Sequence, residues 1–205
     1  MNTQGRTHNL NELRINHVGE KVKLVGWMEN VRKISKSLAF IVIRDFYGKT
    51  QIVVESEDMM EIVNSINCES TISVEGIVRE RSSKNPDMAT GEIEVVPEKI
   101  ELLGRCIFNE LPFEINSSTE SDENIRLRYR FLDLRNPSVK EKIILRSKVI
   151  NALRNRMCNE GFLEIATPIL TCSSPEGARD YLVPSLIHKG QFYALPQAPQ
   201  QFNQI

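Results

Sequence analysis

Between Arg126 and Arg135 the chain carries four arginines, Arg126, Arg128, Arg130 and Arg135, with Asp133 as the only opposing acid and Tyr129 and Phe131 interleaved. A guanidinium offers a planar fork of donors that fits phosphate oxygens, and an aromatic ring offers a face on which a base can stack, so the segment suits phosphate contacts and stacking. The same composition fits a solvated hinge whose arginines pair with nearby carboxylates, and residue types alone leave both readings open. Metal chemistry is not expected. Cys68, Cys106, Cys158 and Cys172 are far apart with no Cys-x-x-Cys pair, and His8, His17 and His188 are scattered, so a structural zinc site finds no pattern here. The cysteines read as free buried thiols of a reducing compartment.

The frame for these residues is bounded by composition. The 205-residue chain has a net charge of -1, so any anion-binding surface must be a local patch and not a global field. Hydrophobic content of 40% and charged content of 26% fit a soluble globular protein, long enough for one domain and part of a second. Met1 to Leu10 is polar and does not read as a signal peptide. No apolar run approaches the roughly 18 residues that span a membrane, and a cytoplasmic location is expected.

The first hundred residues read as β-rich. Val22–Met28, Leu38–Asp45 and Thr50–Glu55 are strand candidates, the last two joined by the Tyr47-Gly48-Lys49 turn as a hairpin. Residues 57–66 read as a helix, with Met60, Val63 and Ile66 at helical spacing. Strand character returns at Thr71–Val78 and Gly91–Val96. Three strands, a helix and two more strands is the order of an OB-fold, a five-stranded barrel whose open face commonly binds oligonucleotides. A small barrel without a ligand fits the same pattern.

A polar linker with Asn116-Ser117-Ser118-Thr119 follows, then the basic segment. Ser138 and Glu141 make a capping-box pattern after Pro137 and predict a helix start. Val139, Ile143, Ile150, Leu153 and Met157 lie close to one face of that helix, which must bury against its own domain or a second subunit. Gly161 is its expected stop. Gly161–Leu170 reads as a strand interrupted by Pro168, Thr171–Arg179 as a polar loop and Gln191–Leu195 as another strand, with Pro199 opening a further helix.

The words Leu127-Arg128-Tyr129-Arg130-Phe131-Leu132-Asp133-Leu134-Arg135, Ser174-Pro175-Glu176-Gly177-Ala178-Arg179-Asp180, Phe192-Tyr193-Ala194-Leu195-Pro196-Gln197 and, in the barrel, Asp87-Met88-Ala89-Thr90-Gly91-Glu92-Ile93-Glu94 occur in one order along the chain. They resemble bacterial-type aspartyl-tRNA synthetases, a class II family, over essentially the whole length. The resemblance implies an α+β architecture. An OB-fold anticodon-binding domain would occupy residues 1–105, a hinge 106–136, and the first part of a class II catalytic domain, an antiparallel sheet with helices, 137–205.

It also implies roles, one position at a time. Phe40 matches the aromatic that stacks on an anticodon base and Gln51 the amide that reads the central base. Arg32 and Lys33 lie where the family carries a more arginine-rich anticodon-contacting run. Lysine does not reproduce bidentate arginine contacts, so this departure predicts weaker discrimination. Arg128 and Arg130 fall in the hinge that faces tRNA. Glu176, in the loop that closes over bound aspartate, and Gln200 match amino-acid-binding positions. Pro168 belongs to motif 1, the homodimer interface. Two departures stand at Ala198, where the family has a serine, and at Asn203, where it has the lysine that neutralises the substrate carboxylate.

The activity implied is attachment of aspartate to tRNA through an aspartyl-adenylate, with ATP and Mg2+ as cofactors of the complete enzyme. Motifs 2 and 3, which hold ATP and magnesium, do not occur up to Ile205, so no catalytic residue is expected within the chain and none of the chemistry from it alone. A binding module that grips an anticodon arm, or a dimerising fragment without tRNA affinity, are the alternatives.

Overall fold

The computed structural model describes residues 5–173 and 180–195, and the chain divides into two compact units, Met1–Val139 and Lys140–Ile205. In the first, β1 (Lys21–Lys33), β2 (Ala39–Arg44), β3 (Lys49–Val54), β4 (Thr71–Glu80) and β5 (Ile93–Gly104) close into a barrel of order β1-β2-β3-β5-β4. The helix α1 (Glu57–Asn64) lies between β3 and β4, as the OB-fold order requires. Ser56 caps it by accepting from the Met59 N–H.

β1 serves two neighbours. Its first half pairs with β4 (Lys21↔Ile77 to Trp27↔Thr71) and its second with β2 (Trp27↔Arg44 to Lys33↔Ala39), with a bulge between Met28 and Asn30. A bulge bends a strand and lets a sheet curl onto itself. Gly76 sits where β4 and β5 shift register, and a Cβ there would lie 2.2 Å from the Val96 carbonyl oxygen. Alternation on β2 sends Ala39, Ile41 and Ile43 inward to full burial and leaves Phe40 and Val42 on the outer face. Leu10 and Leu13, ahead of β1, plug the same core, and Met60 and Val63 of α1 with Ile66 just beyond it complete the cluster.

The segment between barrel and long helix packs on the barrel through charge. It holds α2 (Glu123–Arg128) and α3 (Arg130–Asp133). Asp133 is fully buried, accepts from Ser118 Oγ at 2.7 Å and Arg126 Nε at 3.1 Å, and pairs with Arg130. Glu69 takes Arg44 Nη2 at 2.6 Å from the barrel and Arg135 Nη1 at 2.5 Å from the linker. The Arg135 guanidinium also lies over the Trp27 ring at 4.2 Å. Deleting one partner of such a buried pair typically costs ~3–5 kcal/mol, because the other charge stays buried alone.

The chain departs from the sequence reading in three places. The helix α4 (Pro137–Asn159) is capped by Asn136, whose Oδ1 accepts from the Ser138 N–H at 2.9 Å, with Pro137 in the first turn. Ser138 is therefore not the cap: proline, which has no N–H to satisfy, sets the start two residues earlier. The expected strand Gly161–Leu170 is not formed. After Gly161, at φ 92, ends α4 with bonds from Phe162 N to Met157 O and Gly161 N to Cys158 O, the chain runs irregularly to a single bridge, Thr171↔Ala194.

The α4 face, expected to bury against its own domain or a second subunit, is open in the single chain. Only Val139 of the helix is buried, and Ile143, Ile150, Leu153 and Met157 are exposed. The third departure is the thiols, which are free but not buried: Cys68, Cys158 and Cys172 are exposed and Cys106 is half-buried, because they sit in turns and on the open helix. β6 (Tyr181–Pro184) and β7 (Phe192–Leu195) pair antiparallel, the second as expected. Among the described residues, no helix is long and apolar enough to cross a membrane.

Two carboxyls of the linker contacts sit below their ordinary range. Burial pushes Glu29 up, but hydrogen bonds from Lys49 and Asn116 outweigh it. Burial likewise pushes Asp133 up, and Ser118 and Arg126 outweigh that. A depressed carboxyl contributes its full stability above the unfolded pKa, about 4 for either residue, and loses it as pH falls through the lower folded value. Trp27 is the single tryptophan, so its emission reports the Arg135 contact. We expect that emission to stay constant from neutral pH to about 5 and to change cooperatively below about 4. A transition centred above 5 would contradict this origin.

Candidate nucleic-acid interface

The outer face of the barrel is built row by row from strand register. Arg32 on β1 is opposite Phe40 on β2, which is opposite Val53 on β3; one step along, Asn30, Val42 and Gln51 form the next row. β5 runs parallel beside β3, with Ile52 opposite Val95, so Glu94 comes next to Gln51. Asn30, Arg32, Phe40, Gln51, Arg81 and Glu94 are thereby brought to one groove of about 350 Å³.

The groove is polar and oriented. The Arg32 guanidinium lies 5.5 Å from the Phe40 ring centroid, and Phe40 is half-buried. Gln51 is buried, against the solvated strand residue that is the ordinary reading of a glutamine, and its Nε2 donates to Glu94 Oε2 at 3.1 Å. A carboxylate only accepts, so the amide nitrogen must face Glu94. The Gln51 Oε1 and second N–H then have no partner among the described residues, and the side chain offers one acceptor and one donor in a fixed sense.

Glu94 is itself fixed by Arg79, which reaches it at 2.8 Å and Glu55 at 2.7 Å. Hydrogen bonds to Glu55 and then Glu94 hold the Arg79 guanidinium above its ordinary value, and the Arg79 bond holds the Glu55 carboxyl below its own. Arg81 adds a cation whose Nη1 is buried without a hydrogen-bond partner.

The other expected contact residues divide. Lys33 pairs with Ala39, whose side chain is in the core, so it projects from the strand on the opposite side to Arg32 and does not line the groove. Of the basic linker, Arg126 and Arg130 are spent on Asp133 and Arg135 on Glu69. Arg128 is exposed over Tyr129 at 5.6 Å and has no ion pair among the described residues. Pro168 lies in the exposed irregular stretch after α4. Glu176, Gln200, Ala198 and Asn203 lie outside the described residues. Sequence reasoning missed Arg79, Arg81 and Glu94. Arginines two apart on a strand share a face, and that spacing was the available signal.

Residues 22–103 match the family model described as "OB-fold nucleic acid binding domain", and residues 122–205 match "tRNA synthetases class II (D, K and N)". Proteins named aspartate–tRNA(Asp/Asn) ligase from Ehrlichia canis (strain Jake) and Phenylobacterium zucineum (strain HLK1) are 51% and 50% identical to it over 98% of the chain. The chain spans about a third of the length of these curated relatives, 34% in each case. The crystal structure of asparaginyl-tRNA synthetase from Pyrococcus horikoshii complexed with asparaginyl-adenylate is 26% identical, with a TM-score of 0.78 over 95% of this chain and 43% of that one. The Entamoeba histolytica asparaginyl-tRNA synthetase shares the fold, at TM-score 0.70 and 20% identity over 95% of this chain and 43% of that one.

The barrel thus matches a nucleic-acid-binding model and the segment after it a class II tRNA synthetase model. Along 98% of its length the chain is similar to proteins named aspartate–tRNA(Asp/Asn) ligase.

The linker arginines separate by experiment. Arg126→Ala strips a donor from buried Asp133 and is expected to lower unfolding stability by about 1–3 kcal/mol. Arg128→Ala is expected to stay within about 0.5 kcal/mol. Urea unfolding followed at Trp27 reads both, and equal losses would contradict the division.

Proposed function

We propose that this chain binds the anticodon arm of tRNA in the groove of Arg32, Phe40 and Gln51. In this reading the complete protein is an aspartate–tRNA ligase that couples ATP, with Mg2+, to aspartate through an aspartyl-adenylate. The observation that carries it is the pairing of a stacking ring with an amide whose sense is set by Glu94. A base lies on Phe40, with Arg32 at its phosphate. Gln51 presents an acceptor and a donor, which match the N3–H and a carbonyl of uracil. Arg81 and Arg128 add phosphate contacts at the groove and beyond it.

Uracil is the central anticodon base for both aspartate and asparagine codons. A reader of that base alone does not separate the two tRNAs, which agrees with relatives named for both. Residues 1–105 then serve anticodon binding, 106–136 the hinge and 137–205 the start of the catalytic domain. Within the last, Glu176 and Gln200 bind the amino acid, and α4 with the Pro168 stretch forms a homodimer interface in the cytoplasm. The exposed apolar residues Ile143, Ile150, Leu153 and Met157 supply the surface such an interface needs.

Phe40→Ala is expected to weaken binding of the aspartate anticodon stem-loop by ~1–3 kcal/mol at fixed salt, because one stacked base is lost. Filter binding or fluorescence anisotropy reads the change. Unchanged affinity in a folded variant removes Phe40 from the site.

A further inference from the structure

We propose that His8, His17 and Glu20 form a surface site for a divalent transition-metal ion, zinc by the donor set, away from the groove. The sequence separates these residues, but the fold brings the two imidazoles edge to face, with ring centroids 5.4 Å apart. One ligand atom from each of the three lies within 4.8 Å of the others. Ligand atoms around a tetrahedral zinc with bonds of ~2.0–2.1 Å sit about 3.4 Å apart. Rotations of three solvent-reaching side chains close that difference without moving the backbone.

The backbone at each ligand is pinned. Thr7 N donates to Lys23 O at 2.8 Å and Lys23 N to Thr7 Oγ1 at 2.9 Å, which fixes the segment that carries His8. Gly19 N donates to Val78 O at 2.8 Å, Val78 N to Glu20 O at 3.0 Å and Glu20 N to His17 O at 3.0 Å, which fixes the turn that carries the other two. Gly19 is at φ 90, where a side chain would be strained.

At His8 the outer hydrogen bonds set the tautomer that a metal needs. The Thr7 hydroxyl gives its proton to Lys23 O at 3.2 Å, so at 3.0 Å the His8 Nδ1–H donates to it and Nε2 keeps its lone pair. His17 Nδ1 accepts from the Arg14 N–H at 3.0 Å and lies 3.3 Å from the Arg14 carbonyl, so a metal at Nε2 requires a change of tautomer that exchanges the first contact for the second. Metal-bound histidines ordinarily donate their other ring N–H to an oxygen in this way.

The Glu20 carboxylate is exposed and has no ion pair among the described residues. The Arg14 guanidinium is occupied by the Asn11 and Leu13 carbonyls. Two imidazoles and one carboxylate are the donors of open zinc sites that complete their shell with water, whereas magnesium and calcium call for oxygens alone. A bound ion would close the loop from His8 to His17 around the core plug Leu10 and Leu13, and so tighten the barrel by mass action.

Titration calorimetry of this chain with ZnCl2 tests the site, in a background with Cys68, Cys106, Cys158 and Cys172 each changed to serine, which removes competing thiols. One ion per chain and a melting temperature that rises with zinc are expected. Affinity should fall at least tenfold in His8→Gln and in His17→Ala, and severalfold in Glu20→Gln. Co2+ should bind with a visible spectrum free of thiolate charge-transfer bands. His17→Ala removes a turn contact, so His8→Gln and Glu20→Gln, at the surface, decide if that variant unfolds. No stoichiometric binding, or binding untouched by His8→Gln and Glu20→Gln, overturns the proposal.

Discussion

One buried carboxylate carries the join between barrel and linker. Glu69 stands in the left-handed region, at φ 64, just before β4, and its N–H donates to Met28 O. There it meets Arg44 from the end of β2 and Arg135 from the linker, with all three side chains largely removed from water. Arg44 also donates to the Arg135 carbonyl at 3.3 Å. Two cations in a low-dielectric site repel each other unless an anion lies between them, so this arrangement exists only with the linker docked. The strained backbone at Glu69 is the local cost of placing one carboxylate where both forks reach it.

From that lock the groove inherits its shape. Arg44 ends β2, and the same strand carries Phe40 and Val42 on the outer face, in register with Arg32 and Asn30 of β1 and with Gln51 of β3. The second carboxylate that matters is Glu94, shared between Arg79 and Gln51. It sets the direction of the amide before any base arrives. Preorganisation of this kind removes an ordering cost from binding, so a shallow groove with few contacts can still select.

Much of this was legible in the sequence where periodicity is strong. The strand candidate at Leu38–Asp45 and helical spacing at Met60 and Val63 gave the barrel and its helix, and Phe40, assigned by resemblance, lies on the outer face. The basic segment left two readings, and the structure divides them by residue. Arg126, Arg130 and Arg135 pair with acids, one of them Glu69 at a distance in sequence that no local pattern encodes, and Arg128 remains. Gln51 was assigned by resemblance, but its partner Glu94 comes from a parallel neighbour strand and is invisible to local reading. Lys33 stands one residue of strand alternation from Arg32, which turns its side chain to the other face. The Gly161–Leu170 strand failed because β-propensity needs a neighbour, and among the described residues the one pairing nearby is the bridge at Thr171.

The central claim is that the groove reads a base and does not merely hold phosphate. The direct measurement is a binding titration of this chain with the aspartate anticodon stem-loop beside one changed only at the central base, at one stated salt concentration. Both carry the same phosphates, so the electrostatic part of binding is common to them. The account predicts tighter binding of the uracil-centred loop by at least tenfold, a difference that Gln51→Ala abolishes. Equal affinity for the two loops would contradict it and reduce the groove to a basic surface.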